Sequence, residues 1–134
     1  MTDYFNVLIP REQLLNVSSL GLAHMGDAVF ELMVRSWLCM RGHETSAKLH
    51  KETVHYVRAT SQAALSQRIT PLLTEEEADV FRRGRNAAPH TVTKAASRGE
   101  YLTATALEAL FGWLWLQGRT QRLNELFAAM MEGE

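Results

Sequence analysis

The chain has a single cysteine, Cys39. One cysteine excludes an intrachain disulfide and any cysteine-cluster metal site, and it fits a reducing compartment. An excess of either charge is also missing. The 14 Lys and Arg residues against 15 Asp and Glu leave a formal net charge of −1, so global charge names no partner. The opening "MTDYFNVLIPREQ" lacks a basic region followed by an apolar stretch, so it does not read as a signal peptide. The longest apolar run, "ALFGWLWL" at 109–116, is far too short to span a bilayer. Strand-like alternation is missing except for a few residues around "TVTK". There is no internal repeat, low-complexity segment or linker. These absences leave a soluble, cytoplasmic protein with one domain over residues 1–134 as the expectation. At 46% apolar residues the chain is not disordered, and its length permits a real core.

What is present has the period of a helix almost throughout. Pro10 opens a short helix to about Asn16. Ser18 or Ser19 caps a long one that ends at Gly42, a natural position for a left-handed residue. Thr45 or Ser46 starts another, and the pattern resumes after Ala59 until Pro71 stops it. Thr74 and Glu77 have the spacing of a capping box, with Glu75 and Glu76 favourable in the first turn. That helix is expected to reach about Gly84, before a loop over 84–99. An apolar helix then runs from about Glu100 to Gln117, ended by Gly118. Thr120 caps a last helix to about Glu132. The fold class expected is all-α.

Two of these helices carry acids where burial is expected. On the wheel of "LAHMGDAVFELMVR", Leu20, Ala23, His24, Asp27, Glu31, Val34 and Leu38 share one side. A carboxylate on an apolar stripe takes up a proton, finds a cation, or sits at the edge in water. In "YLTATALEALFGWLWLQ", Glu108 is the one acid, and its helical neighbours Ala104, Thr105, Phe111 and Gly112 are small or apolar. Small residues let a second helix approach closely. Asp27 and Glu108 would then face one divalent ion between the helices. Mg²⁺ suits such a place, since it takes one or two carboxylates, keeps several waters and binds phosphate oxygens of a substrate. The blander reading is a structural acid satisfied by an arginine or a helix end.

Local charge points the same way. From Val80 to Gly99 the chain has Arg82, Arg83, Arg85, Lys94 and Arg98 and no acid. Asn86, His90, Thr91 and Thr93 add donors for phosphates or sugar hydroxyls. A solvated loop is the commonest fate of such a cluster. Beside a two-carboxylate metal site, it is also what holds a phosphate backbone.

These residues carry a resemblance. "LAHMGDAVFE" resembles the signature helix of the ribonuclease III family, and "TALEALFGWLWL" that family's second acidic helix. "RRGRNA" and the loop after it are similar to the intervening segment of Mini-ribonuclease III, the family's short branch. That branch lacks the C-terminal double-stranded-RNA-binding domain, and this chain likewise stops soon after Glu108. The resemblance spans roughly Ser19 to Phe127.

The resemblance implies an all-helical ribonuclease III-like domain in a twofold dimer. It implies Mg²⁺-dependent cleavage, with Mn²⁺ as a substitute, of double-stranded or structured RNA to 5′-phosphate and 3′-hydroxyl ends. The short branch's association with precursor ribosomal RNA implies that substrate class. Asp27 matches the signature aspartate and Glu108 the second-helix glutamate, as catalytic residues and metal ligands. The family's other two acids are absent: Ala23 and Thr105 stand in their places. Glu31 has no counterpart and is expected to accept hydrogen bonds from metal-bound water or from an arginine. His24 stands where the family has an aromatic at the dimer contact. The expected interface is therefore the Ser19–Arg35 helix near His24 and Met25. Arg82, Arg83, Arg85, Asn86, Lys94 and Arg98 are the expected RNA-binding residues, and Arg83 has Asp79 one turn back as a competing partner. His43, His50 and His55 read as structural or exposed; Trp37, Trp113 and Trp115 read as core or dimer interface. The alternative is a noncatalytic, ribosome-associated RNA-binding protein that keeps the fold. A scaffold, however, has no use for both acids. A helical adaptor without RNA is disfavoured by the acid-free basic segment.

Overall fold

The computed structural model describes residues 1–42, 45–88 and 97–132. Seven α-helices follow in order: α1 (Arg11–Leu15), α2 (Ser19–Met40), α3 (Ser46–Val57), α4 (Ala59–Ser66), α5 (Glu75–Ala87), α6 (Arg98–Leu116) and α7 (Thr120–Met131). A short 3₁₀ turn, Thr70–Leu72, joins α4 to α5. The described residues contain no strand, so the all-α class holds. The "TVTK" stretch, His43 and His90 lie outside the described residues. No described helix is long and apolar enough to cross a membrane.

The helix ends follow the local chemistry. Ser18 Oγ accepts from the Gly21 N–H at 3.0 Å, and Thr45 Oγ1 from the Lys48 N–H at 3.1 Å, so each satisfies a free amide of a first turn. The capping box at Thr74 and Glu77 is complete. A second one, Ser97 with Glu100, starts α6 two residues earlier than expected. Its Ser-Arg-Gly-Glu spelling was legible in the sequence. Gly42 and Gly118 take φ of 86° and 70°, the left-handed values that end α2 and α6. After α6, Gly118 donates to Trp115 and Arg119 to Leu114, both at 3.0 Å, which closes a Schellman turn. Arg119 is therefore also the residue preceding α7. Thr120 is the first helical residue and not the cap, and α7 has no side-chain cap.

Two further expectations are corrected. Helix α5 does not stop at Gly84; it runs to Ala87. Gly84 is buried against α6, where an added Cβ would stand 2.7 Å from Ala109 Cβ. This glycine permits close packing and does not end the helix. The buried face of α2 is also rotated from the stripe expected. It comprises Leu22, Ala23, Gly26, Val29, Phe30, Val34 and Leu38, whereas Leu20, His24 and Asp27 are exposed.

Helices α2 and α6 are the central pair, and α4 and α5 pack against α6. Phe30, fully buried, meets Phe111 edge-on with centroids 5.7 Å apart and Phe127 at 6.0 Å. Leu107, Leu110, Leu114, Leu126 and Met130 surround them, also without exposure. Each such side chain contributes roughly 1.5–3 kcal/mol by leaving water. Trp113 belongs to this core, and Trp37 and Trp115 pack against its edge.

Candidate active site

The site begins with two glycines. A Cβ on Gly26 would lie 1.6 Å from the Glu108 carbonyl oxygen, and one on Gly112 would lie 2.0 Å from that of Leu22. Helices α2 and α6 thus cross backbone to backbone, each through the other's glycine. Asp27 follows Gly26, and Glu108 sits one turn before Gly112. The crossing therefore delivers both carboxylates to one point.

The two acids are close enough to share a proton. Burial raises the Glu108 carboxyl most. The charge of Asp27 and a hydrogen bond between the two side chains raise it further, against a smaller opposing effect of Gln62, to about 8. Near neutrality Glu108 therefore holds its proton. The exposed Asp27 opens the pair on one side to solvent. Of the three fates open to an acid on an apolar helix, Asp27 takes the edge and Glu108 takes the proton.

Neither position where the resemblance expects a further acid offers a free polar group. Ala23 is 7% exposed and Thr105 is 6% exposed. The Thr105 hydroxyl donates to the Tyr101 carbonyl at 3.0 Å, so it serves its own helix. Glu31 pairs with Arg35 at 3.0 Å, one turn along α2. Its partner is thus the arginine of the two alternatives named.

One residue of the site escaped the sequence reading. Gln62 on α4 is 1% exposed. Its Nε2 donates to the Val57 carbonyl at 2.9 Å and to Glu108 Oε2 at 3.5 Å. A polar residue between small ones in "ATSQAALS" was the available signal, and it is weak without the partner helix.

The donor chemistry suits a hard cation. Two carboxylates meet here, both presenting oxygen, and the Gln62 amide donates to one of them. Among the described residues no group of three or more His, Cys, Asp or Glu could hold a metal ion. Two carboxylates with water completing the shell is a Mg²⁺ arrangement and a poor zinc one. A cation would also favour the charged form of Glu108 against the burial and the Asp27 charge that keep it protonated. The residues present therefore fit the ion.

The expected RNA-binding residues are mostly helical. Arg82, Arg83, Arg85 and Asn86 lie on the last two turns of α5, and Arg98 is the first residue of α6. Lys94, with Thr91 and Thr93, lies outside the described residues. Arg82 and Arg83 both pair with Asp79, the latter at 3.0 Å. Arg85 instead reaches across to α6, donating to Thr103 Oγ1 at 3.1 Å. It lines an open groove with Ala63, Ser66, Ser97 and Thr103. Neither acid of the pair lines this groove. His24 is exposed and Met25 half-buried on α2, and His50 and His55 are exposed on α3.

A helical domain with one acid from each of two crossed helices is the frame of a ribonuclease III domain, and residues 20–119 match the model of that domain. The chain belongs to the ribonuclease III family, in its Mini-ribonuclease 3 branch, and is an endoribonuclease of that type. It is 45% identical over 115 residues to the Mini-ribonuclease 3 of Symbiobacterium thermophilum, covering 86% of this chain and 88% of that protein. With the Mini-ribonuclease 3 of a Thermoanaerobacter species it shares 43% over 119 residues, covering 89% and 84%. A crystal structure of a Fusobacterium nucleatum protein superposes with a TM-score of 0.80 at 29% identity, over 88% of this chain and 96% of that one.

Proposed function

We propose that this endoribonuclease cuts double-stranded or structured RNA, with Mg²⁺ held by Asp27 and Glu108, and leaves 5′-phosphate and 3′-hydroxyl ends. The observation that carries the reading is the α2–α6 crossing. Two glycines bring an exposed acid and a desolvated acid together, at a cost in Glu108 ionisation that a structural role would not require. When bound, the cation activates a water and stabilises negative charge on the phosphodiester. The chain's own contribution is placement. Asp27 faces solvent, where the phosphate arrives. Glu108 is held from behind by α4 and supplies charge in a poorly solvated position, where electrostatic interactions are strong.

The substrate class follows from the basic segment of the chain. Arg85, on the wall of a groove, supports contacts to a phosphate backbone, with Arg98 and Lys94 as further cations of the same segment. Such contacts hold any duplex, so selection among RNAs rests on shape. Precursor ribosomal RNA is the substrate class we favour, from the branch to which the chain belongs, and the cytoplasm is the matching compartment. Two strands require two sites. We therefore include a twofold homodimer through α2, with His24 and Met25 at the isologous contact. The exposed His24 and Leu20, at 43% exposure, support that face.

The test is incubation of the purified protein with a perfect RNA duplex, with Mg²⁺ and with chelator. Cleavage of both strands in Mg²⁺ alone, into 5′-phosphorylated fragments, is expected. Cleavage that persists in chelator overturns the cation reading. Sedimentation at micromolar concentration tests the dimer, which His24→Asp is expected to weaken.

A further inference from the structure

Among the described residues, one buried side-chain nitrogen or oxygen has no hydrogen-bond partner, and it is Gln62 Oε1. An unsatisfied buried acceptor costs about 1–3 kcal/mol, and such atoms are rare enough to call for a reason. Turning the amide over does not remove the problem. The Val57 carbonyl, 2.9 Å from Nε2, ends α3 and accepts from this amide; a turned amide would set oxygen against oxygen there. In the observed orientation Nε2 also donates to Glu108 Oε2, at 3.5 Å. The orientation is therefore fixed by its surroundings, and the free oxygen lies on the same small amide group that touches Glu108.

We propose that Gln62 is a positioning residue of the cation site: its N–H fixes the Glu108 carboxylate against Asp27, and its free oxygen accepts a hydrogen bond from the cation's water shell. The inference rests on the acid pair's being that cation site. The backbone explains how Gln62 holds its place. Arg58, extended at φ −68° and ψ 154°, breaks α3 from α4, and the Gln62 amide spans the break to Val57. Helix α4 packs on α6, so the same amide reaches Glu108 from behind. One side chain thus ties a backbone break to the orientation of an acid 46 residues away. Residues that orient ligands in this way typically change cation affinity or activity 10–100-fold when lost.

Two variants and an RNA-free measurement test it. Gln62→Met keeps volume and removes both polar atoms; Gln62→Glu keeps the acceptor and adds charge. Mg²⁺ affinity of the homodimeric or monomeric protein as purified is read by calorimetry without RNA, and kcat and KM for a duplex are read separately. Gln62→Met is expected to weaken Mg²⁺ binding about 10-fold and lower kcat at the parent's saturating Mg²⁺, with KM for the duplex within about twofold. Gln62→Glu sets an oxygen where Nε2 donates to Val57 and Glu108, so it is expected to lose Tm in chelator and to show a larger Mg²⁺-induced rise in Tm than the parent. A purely structural amide moves Tm and leaves Mg²⁺ affinity and kcat alone, and that result in Gln62→Met overturns the proposal. So does a Gln62→Glu variant whose Mg²⁺-induced rise in Tm is no larger than the parent's. A parent protein that binds no Mg²⁺ refutes the reading of the acid pair itself, a separate failure visible before either variant is made.

Discussion

Gly26 and Glu108 touch through their backbones: a methyl group on Gly26 would stand 1.6 Å from the Glu108 carbonyl oxygen. Neither a rotamer change nor a flexible neighbour can make room, because the obstacle is a helix backbone. Gly26→Ala must therefore push α2 and α6 apart. Overpacking of this kind costs about 3 kcal/mol or more. Cleavage should fall further than stability does, because separation also parts Asp27 from Glu108. Gly112→Ala, at 2.0 Å from the Leu22 carbonyl, should behave alike. Parent-like melting and turnover in either variant would refute the close crossing.

Removing charge without changing shape separates chemistry from folding. Asp27→Asn and Glu108→Gln should each lower kcat by more than the ~100-fold that loss of a supporting residue can cost. Both should stay folded, and both should bind duplex RNA with near-parent affinity. Turnover near the parent's at saturating Mg²⁺, in either variant, would refute the two-carboxylate site.

The raised Glu108 carboxyl makes a pH prediction for the cation-free protein. Its folded value is about 8, against 4.5 for an unperturbed glutamate. Folding therefore favours the protonated form. That stability is fully present below the unfolded value and is lost as pH rises through the folded one. In chelator, Tm should decline between about pH 5 and pH 8, and Glu108→Gln should flatten the decline. Glu77 has the opposite sign. Its hydrogen bond with Arg122 holds it below the glutamate range, so its contribution is present above that range and lost only in acid. Equal slopes in parent and Glu108→Gln would contradict the assignment.

The Glu77–Arg122 pair is a separate structural element. Glu77 has no exposure, and Arg122 reaches both of its oxygens at 2.8 Å and the Leu72 carbonyl at 2.9 Å. Arg122→Met strands a buried carboxylate and should cost about 3 kcal/mol, roughly 10 °C in Tm for a domain of this size. Adding Glu77→Gln, which can still close the capping box at Thr74, should recover part of that loss. Thermal melts of the single and double variants decide it.

Arg85 is a described cation that lines a groove with Ser97 and Thr103. Arg85→Ala should weaken binding to all duplexes and flatten the log–log salt dependence by about one unit. It gives up one exposed hydrogen bond to Thr103, so Tm should change little. Unchanged binding across a salt series would move the RNA-facing surface elsewhere.

Much of this was legible in the chain order of residues. The all-α class, the caps at Ser18, Thr45 and Thr74, and the glycine stops at 42 and 118 are set by groups three or four residues apart, within reach of local rules. The acids Asp27 and Glu108 were conspicuous because each interrupts an apolar helix, and the ordered motifs around them resemble one family. Arg83's pairing with Asp79 is an i, i+4 contact and could be read directly. Three things were decided only by the tertiary structure. Gly84 reads locally as a helix stop, yet contact with Ala109 makes it a packing position inside α5. Asp27 reads as part of a buried stripe, yet the face of α2 that meets α6 is the one carrying Gly26, which leaves Asp27 at the edge. Gln62 has only a weak local signal, a polar residue among small ones, since its meaning lies in Val57 and Glu108 on other helices. Hydrophobic period gives a helix an apolar side but fixes that side's centre only loosely. The exact approach of two backbones, and the polar atoms trapped where they meet, are set by the packing of the whole core.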